Sequence, residues 1–159
     1  MRVVADLDLT RYAGTWYEVA RLPNRFQEEC AGDVTATYTL RDDGRIDVLN
    51  RCARADGSLD EAQGVARRAS ASDSNARLEV RFAPAWLSWL PAVWGDYWVL
   101  DLDPDYRWAL IGEPRRRYLW VLSRSPGVDE TTLRRILATA EREGYDLGPL
   151  VRTAQSAGE

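Results

Sequence analysis

The strongest constraint on the fold is a pair of alternating segments on either side of an Asp-Gly turn. Apolar and polar residues alternate through 34–40 and again through 46–50, and residues 41–44 (Arg-Asp-Asp-Gly) join the two segments. Alternation with a period of two is typical of strands with one buried face, and Asp-Gly supplies the geometry of a hairpin turn. The sequence therefore predicts an antiparallel hairpin whose buried face carries Val34, Ala36, Tyr38 and Leu40 on one strand and Ile46, Val48 and Asn50 on the other.

Similar short segments recur from Gly14 to Arg124, each rich in β-branched and aromatic residues and bounded by Gly, Pro, Asp or Asn. They predict strands near 15–22, 34–41, 45–52, 62–69, 76–83, 96–102, 107–112 and 118–123. A meander of eight antiparallel strands closes most economically into a barrel, because closure removes the exposed edges. We therefore predict an all-β fold, an eight-stranded antiparallel up-and-down barrel over about 14–124, within a single domain of residues 1–159.

After the last predicted strand the apolar residues follow a helical period instead. Asp129 is placed to cap the start of a helix, and Gly144 is placed to end it. We expect one amphipathic helix over about 130–143 that packs outside the barrel. Its apolar stripe consists of Leu133, Ile136, Leu137 and Ala140. Residues 151–159 are expected to form a frayed tail.

The composition excludes several classes of catalytic and metal site. The chain has no histidine, and an imidazole is required for Ser-His or Cys-His catalysis, for His-ligated haem and for most zinc sites. We therefore expect no metal and no cofactor. The net charge of -4 also argues against a nucleic-acid partner.

Three short motifs resemble the signatures of the lipocalin family, in the order in which that family carries them. The first is Gly14-Thr15-Trp16, the second is residues 102–106 (Leu-Asp-Pro-Asp-Tyr), and the third is residues 122–124 (Leu-Ser-Arg). Together with segments such as 95–100 and 118–124, they resemble the subgroup that contains bacterial outer-membrane lipocalin, apolipoprotein D and plant temperature-induced lipocalin. The resemblance implies a barrel with one closed end and one open end.

The resemblance assigns a structural role to five residues: Gly14, Trp16, Asp103, Tyr106 and Arg124. It implies that Trp16 and Arg124 meet at the closed end, where a guanidinium can stack on an indole face and donate to backbone carbonyls. Such a cation–π contact contributes about 0.5–2 kcal/mol. We expect these residues to close the barrel against water rather than to contact a ligand.

An eight-stranded barrel is wide enough to hold one small ligand, so its inward face decides the function. Strand alternation and the family resemblance together predict that this face consists of Ala20, Ala36, Tyr38, Val48, Asn50, Leu78, Val80, Phe82, Tyr97, Val99, Tyr118 and Trp120. A mostly apolar face suits an acyl chain, because each buried CH₂ contributes about 0.8 kcal/mol. We expect a non-enzymatic protein that carries or stores fatty acids or lysophospholipids in cell-envelope lipid maintenance. The alternative is an interior filled by its own side chains.

The polar members of this face have two interpretations. A buried amide such as that of Asn50 either finds a hydrogen-bond partner in the protein or marks the position of a ligand headgroup. The sequence leaves both open. The hydroxyls of Tyr38, Tyr97 and Tyr118 can orient a carboxylate or a phosphate ester.

The chain has two cysteines, Cys30 and Cys52, at nearly mirrored positions about the turn at Asp43. This placement favours a structural disulfide, which indicates an oxidising compartment such as the periplasm. The alternative is a pair of free thiols, one of them reactive. It would fit a second functional class, a lipocalin-type enzyme that is either a thiol-dependent isomerase or a carotenoid-modifying relative.

The stretch from Phe82 to Trp94 is unusual because it carries three tryptophans, two leucines and two prolines. The tryptophans and leucines are Trp86, Leu87, Trp89, Leu90 and Trp94. The resemblance places them in a loop at the open end, where tryptophan suits the boundary between membrane and water. We expect peripheral membrane contact through this loop, with a self-packed lid and a homodimer interface as the alternatives.

The first five residues are followed by a charged Asp6-Leu7-Asp8 segment and not by the apolar stretch of a secretory leader. The protein is therefore either cytoplasmic or a form from which a leader has been removed. The resemblance to bacterial outer-membrane lipocalins favours the periplasm or the outer membrane, with the leader and the lipid anchor removed.

Overall fold

The computed structural model describes residues 1–69, 74–82 and 94–156. Eight strands in this part form one antiparallel sheet: β1 (Gly14–Arg21), β2 (Gly32–Leu40), β3 (Ile46–Ala53), β4 (Leu59–Arg68), β5 (Arg77–Phe82), β6 (Gly95–Leu102), β7 (Trp108–Gly112) and β8 (Leu119–Ser123). Each strand pairs with its neighbour in sequence, and β1 pairs with both β2 and β8, so the sheet closes on itself. The predicted eight-stranded up-and-down barrel is confirmed.

The β2–β3 hairpin forms in the predicted register. Tyr38 lies opposite Val48, and Ala36 lies opposite Asn50. Gly44 takes a φ of 84° in the turn, a backbone conformation that glycine adopts without steric cost. The alternation then carries Ala36, Tyr38 and Val48 to the buried inner face of the barrel.

The two ends of the barrel are built differently. Because neighbouring strands are antiparallel, the β1–β2, β3–β4, β5–β6 and β7–β8 connections share one end, and the other connections share the opposite end. Residues 3–12 cross this opposite end and finish in a short helix, α1 (Leu9–Tyr12). Within this segment the Val4 N–H donates to the Val99 carbonyl at 3.0 Å, and the Leu7 N–H donates to Asn75 Oδ1 at 2.8 Å. The segment closes that end, and the first end is the mouth.

A second helix, α2 (Glu130–Arg142), packs outside the barrel as predicted. Asp129 caps it, because its Oδ1 accepts from the Thr132 N–H at 2.8 Å. The buried face of the helix and the barrel wall form one apolar cluster that includes Leu133, Ile136 and Ala140 with Val19, Ala20, Leu110, Leu119 and Val121. This burial holds the helix, since an isolated helix of this length is marginal in water. Within residues 1–69, 74–82 and 94–156, no helix has the length and apolarity required to cross a bilayer.

Residues 151–156 pair with the barrel, contrary to the prediction of a frayed tail. A ninth strand, β9 (Val151–Arg152), is antiparallel to the end of β1. The Thr153 N–H then donates to the Val19 carbonyl at 2.9 Å, and the Asp33 N–H donates to the Ala154 carbonyl at 2.8 Å. The register of β1 with β2 stops at Tyr17. The C-terminal segment pairs with the edge of β1 that is free beyond that point. A free edge of this kind depends on the tertiary structure, so it could not be predicted from a local sequence pattern.

Candidate functional site

The barrel encloses a cavity that opens at the mouth. The cavity measures about 780 Å³, part of which is continuous with solvent. The apolar part of the wall is formed by Val34, Ala36, Ile46, Val48, Ala66, Leu78, Val80, Phe82, Ile111 and Leu122. The described side chains therefore leave the interior open, contrary to the filled-barrel alternative.

Most residues predicted to point inward line this cavity: Ala36, Tyr38, Val48, Asn50, Leu78, Val80, Phe82, Tyr97 and Trp120. Val99 is fully buried in the inner core, but it packs beside the N-terminal segment and not on the cavity wall. Tyr118 precedes β8 and is also not on the wall. Its ring stacks on that of Trp120, with the centroids 5.9 Å apart.

Ala20 faces away from the cavity because β1 contains a bulge. The register of β1 with β8 shifts between Glu18 and Ala20, and such a shift breaks the two-residue period of the strand. Glu18 lines the cavity, whereas Val19 and Ala20 both belong to the cluster under α2. The inward prediction for Ala20 is corrected accordingly. Glu18 lies before the bulge, two residues after the inward Trp16, so alternation does place it on the inner face; the sequence prediction omitted it because that face was expected to be apolar.

The closed end brings Trp16 and Arg124 together, as the resemblance implied. The Cζ atom of Arg124 lies 3.8 Å from the centroid of the Trp16 ring. The guanidinium donates to four backbone carbonyls at 2.8 to 3.1 Å, those of Arg11, Tyr12, Ala13 and Thr15. Gly14, at a φ of 103°, passes so close that a Cβ there would lie 3.2 Å from Arg124 Nη1. One arginine therefore ties the start of β1 to the end of β8.

Asp103 and Tyr106 shape the turn between β6 and β7. Asp103 Oδ2 accepts from the Arg107 N–H at 3.0 Å and from Arg107 Nε at 2.8 Å, and these bonds hold the pKa of Asp103 below its ordinary value. The Tyr106 hydroxyl accepts from the Asp8 N–H at 2.9 Å, and the Arg11 guanidinium lies over the Tyr106 ring at 4.2 Å. The second signature thus anchors the segment that closes the barrel.

Three tyrosine hydroxyls meet at the closed end of the cavity, and we call Tyr12, Tyr38 and Tyr97 the tyrosine cluster. Tyr97 Oη lies 2.6 Å from Tyr12 Oη and 2.8 Å from Tyr38 Oη. Burial raises the pKa of Tyr38 to about 12 and the pKa of Tyr12 and Tyr97 well above the ordinary value. All three phenols therefore keep their protons at neutral pH. Sequence reasoning missed Tyr12 because it precedes the first strand and belongs to no alternating pattern.

A buried polar network lies in the wall nearer the mouth. Glu18, which is 1% exposed, accepts from Arg21 Nη1 at 2.7 Å and from Gln27 Nε2 at 2.8 Å. The Thr153 hydroxyl also donates to Glu18. Gln27 Oε1 in turn accepts from the indole N–H of Trp120 at 2.9 Å. The buried carboxylate is thus paired and hydrogen-bonded, as a buried charge must be, and the network fixes Trp120 in the cavity wall.

A second carboxylate, Asp96, lines the cavity at the start of β6. Among the residues described, no ion pair reaches it. Burial raises its pKa above the ordinary value, and repulsion from Glu79 and Glu113 raises it further, while Arg115 acts in the opposite direction. The mouth therefore presents Asp96 as a carboxylate without an ion pair among the described residues, with Arg115 near enough to act on it.

Asn50 lines the cavity with an unused acceptor. Its Oδ1 is buried and has no hydrogen-bond partner within the described part of the chain. Asn50 lies one inward position above Val48 on β3, on the mouth side of the tyrosine cluster. Of the two interpretations given from the sequence, a protein partner for this acceptor is not found among the described residues.

Cys30 and Cys52 form the predicted disulfide, with their Cα atoms 5.5 Å apart. The bond joins the chain before β2 to the end of β3. These are the two cysteines of the sequence, so no free thiol is left. A thiol-dependent enzyme lacks its nucleophile while this bond is intact.

Trp94 is the one member of the tryptophan-rich loop that the structure describes. Trp86, Leu87, Trp89 and Leu90 lie outside the described residues. The ring of Trp94 is half-buried, with Arg67 Cζ at 3.7 Å and Arg81 Cζ at 5.1 Å from its centroid. Trp94 therefore packs against side chains of β4 and β5.

Residues 7–155 match the family model of the lipocalin-like domain. The chain belongs to the lipocalin family. It is 46% identical to temperature-induced lipocalin-1 of Arabidopsis thaliana over 157 residues, which cover 98% of this chain and 83% of the relative. It is 40% identical to the outer membrane lipoprotein Blc of Escherichia coli over 154 residues, which cover 96% of this chain and 82% of the relative. The resemblance drawn from the three signatures is confirmed.

The fold of this lipocalin also matches solved structures of low sequence identity. Insecticyanin from the tobacco hornworm Manduca sexta superposes with a TM-score of 0.75 at 21% identity, covering 98% of this chain and 85% of that protein. At this identity the likeness concerns the fold alone. Fold, family and open apolar cavity together support the binding of a small hydrophobic ligand.

Proposed function

We propose that this lipocalin binds single-chain lipids, fatty acids or lysophospholipids, and carries or stores them in the lipid maintenance of a cell envelope. The observation that carries the proposal is an apolar cavity, open at one end, inside a barrel whose other end is closed by Trp16 and Arg124. Such a cavity admits a flexible chain from the mouth. Its closed end keeps water from entering behind the ligand.

The wall chemistry fits an acyl chain. The small side chains of Ala36 and Ala66 leave room for a ligand in the cavity, while Val48, Leu78 and Ile111 supply apolar contacts. Each CH₂ transferred from water gains about 0.8 kcal/mol, so ten of them gain about 8 kcal/mol before the costs of association and ordering. Micromolar affinity corresponds to about 8 kcal/mol, so it is expected for chains long enough that their gain exceeds this value by the association cost of about 4 kcal/mol or more.

The polar groups nearer the mouth favour a headgroup that carries donors or a positive charge. Asn50 Oδ1 is an unpaired acceptor, Asp96 lacks a paired cation among the described residues, and Arg21 is already paired with Glu18. A free carboxylate at this position would be repelled by Asp96. We therefore propose that lysophospholipids with an ammonium-bearing headgroup bind more tightly than fatty acids of the same chain length.

The proposed compartment is the periplasm or the outer membrane. Two observations support it: the disulfide between Cys30 and Cys52, which persists in oxidising compartments, and the similarity to an outer membrane lipoprotein. Peripheral membrane contact through Trp86 and Trp89, and a homodimer through the same loop, stay predictions.

The test is to expose the purified protein to a bacterial lipid extract and to identify retained species by native mass spectrometry. We expect one single-chain lipid per protein. A cavity-filling variant, Ala66→Phe, should retain none, whereas Gln63→Phe, on the exposed outer face of the same strand, should bind as the unmodified protein does. Circular dichroism checks that both variants fold. The absence of retained lipid in the unmodified protein, together with unchanged tryptophan fluorescence on titration with fatty acids, would contradict the proposal.

A further inference from the structure

The tyrosine cluster contains more hydrogen-bond donors than acceptor contacts. Its three hydroxyls carry three protons, but they make two contacts, both to Tyr97 Oη. If Tyr12 and Tyr38 both donate to Tyr97, the proton of Tyr97 is unused. If the hydroxyls donate in sequence, from Tyr12 through Tyr97 to Tyr38 or in the reverse order, the proton of the last tyrosine is unused. Every arrangement therefore leaves one O–H without an acceptor among the described residues.

This unused proton faces the cavity. All three side chains line the cavity, and Tyr12 and Tyr38 are 2% and 8% exposed, so bulk water does not satisfy them from outside the barrel. Leaving a buried donor without an acceptor costs about 1–3 kcal/mol. Because burial raises the pKa of each phenol, the proton is not lost at neutral pH. A ligand that displaces water from the cavity therefore leaves this donor unpaired unless one of the ligand's own atoms accepts the proton.

We propose that the tyrosine cluster is a deep polar subsite that donates a hydrogen bond to an oxygen atom at the buried end of the ligand. The inference rests on the proposed function, since it gives a role in ligand binding to the closed end of the same cavity. The ligand class is an otherwise apolar molecule that carries a hydroxyl, carbonyl or carboxyl oxygen on the end that enters first. An acyl chain that carries an oxygen atom on the end farthest from its headgroup meets this description.

The geometry dictates which substitution removes the subsite. Replacing one tyrosine by phenylalanine removes one proton and at least one contact, so at least one unused donor remains. The same holds for any two replacements. Only the triple variant Tyr12→Phe/Tyr38→Phe/Tyr97→Phe eliminates the donor, and exchanging mutually bonded polar groups for apolar ones of the same shape is close to neutral for stability.

The experiment measures binding of three probes by calorimetry: dodecanoic acid, 12-hydroxydodecanoic acid and dodecylamine, which carries no oxygen. The unmodified protein, the triple variant, the single variant Tyr38→Phe and the control Tyr17→Phe, outside the cavity lining, are compared. We expect the triple variant to bind 12-hydroxydodecanoic acid about tenfold more weakly, as the loss of one buried hydrogen bond implies, and dodecylamine with unchanged affinity. Tyr17→Phe should bind all three probes as the unmodified protein does, and Tyr38→Phe, which keeps an unused donor, should still bind 12-hydroxydodecanoic acid more tightly than the triple variant does.

The outcomes separate this inference from the proposed function. Weakening of both acids but not of dodecylamine would also support the subsite, with the carboxyl group as the oxygen that reaches it. Weakening of all three probes to the same extent, or of none, would overturn it. If no probe binds the unmodified protein, the proposed function is contradicted, and this inference with it.

Discussion

Asp96 places a negative charge at the mouth with no ion pair among the described residues, and this charge bears on ligand choice. We predict that Asp96→Asn binds fatty acids several-fold more tightly at pH 7, because a repulsion between carboxylates of about 1 kcal/mol corresponds to a factor of about five. Lysophosphatidylethanolamine should bind no more tightly than before. The measurement is a fluorescence titration with both lipids, and Asp42→Asn, in the exposed β2–β3 turn, is the matched control. Equal gains for both lipids would contradict the assignment.

The same residue predicts a pH dependence of stability. The folded state raises the pKa of Asp96, so it favours the protonated form. The contribution of Asp96 to stability is then fully present below the ordinary carboxyl pKa and is lost as the pH rises through the raised value. Asp96→Asn should therefore be more stable than the unmodified protein at pH 7, and the difference should shrink toward pH 3. Urea unfolding at several pH values measures it, and a difference that grows on acidification would refute the sign.

Arg124 is the single residue on which the closed end most visibly depends. Arg124→Met keeps the aliphatic stem but removes the donors to four carbonyls and the cation over Trp16. We expect the free energy of unfolding to fall by about 2–4 kcal/mol, since partly buried orphaned carbonyls and a lost cation–π contact each contribute on the order of 1 kcal/mol. Arg45→Met, in the exposed hairpin turn, should change it by less than about 0.5 kcal/mol. Chemical denaturation compares the two.

Elements that follow a local sequence pattern could be predicted, and elements that depend on contacts with residues distant in sequence could not. The β2–β3 hairpin and α2 formed where alternation, the Asp-Gly turn and the Asp129 cap indicated. The bulge after Glu18 and the strand β9 were missed, because each depends on what lies beside β1 in space. In the cavity, alternation found Ala36 and Val48. Glu18 was missed because it is charged, although it lies in phase with Trp16, and Tyr12 was missed because it belongs to a helix that precedes the first strand.

The C-terminal segment should therefore contribute measurably to stability. Ending the chain at Leu150 removes β9, the Thr153 hydroxyl bond to Glu18, and the Gln155 amide bonds to the Glu18 and Val34 carbonyls at 2.9 Å. We expect a loss of about 2–3 kcal/mol, because buried polar groups of β1 lose their partners. Ending the chain at Ser156 keeps all these contacts and is the control. Equal thermal midpoints for the two truncations would show that the segment contributes nothing.

In the molecule as a whole, the contacts that stabilise the fold and the cavity that is proposed to bind ligand lie in different regions. The cluster under α2 is packed, whereas the inner core gives up part of its volume to the cavity. The closed end and the outer cluster therefore hold the barrel without a ligand. This separation explains how a fold can tolerate an open interior despite the packing that interiors usually require.

The disulfide stabilises this whole by restricting the unfolded chain. It closes a loop of 22 residues, and closure of a loop of that length contributes about 3 kcal/mol. Cys30→Ala/Cys52→Ala should therefore unfold at a lower denaturant concentration but still form the barrel, because β1 closes it with β2 and β8 independently. Denaturation with and without a reductant tests this prediction. The double variant should be insensitive to the reductant, and a reductant effect of equal size in both proteins would refute the assignment.

The floor of the cavity is supplied partly by Tyr12, on a segment that precedes the barrel and is not one of its strands. Replacing that one side chain with a smaller one deepens the pocket without disturbing any ladder of the sheet. A smaller side chain at position 12 is therefore expected to admit a longer ligand, while the paired strands that determine folding are left unchanged.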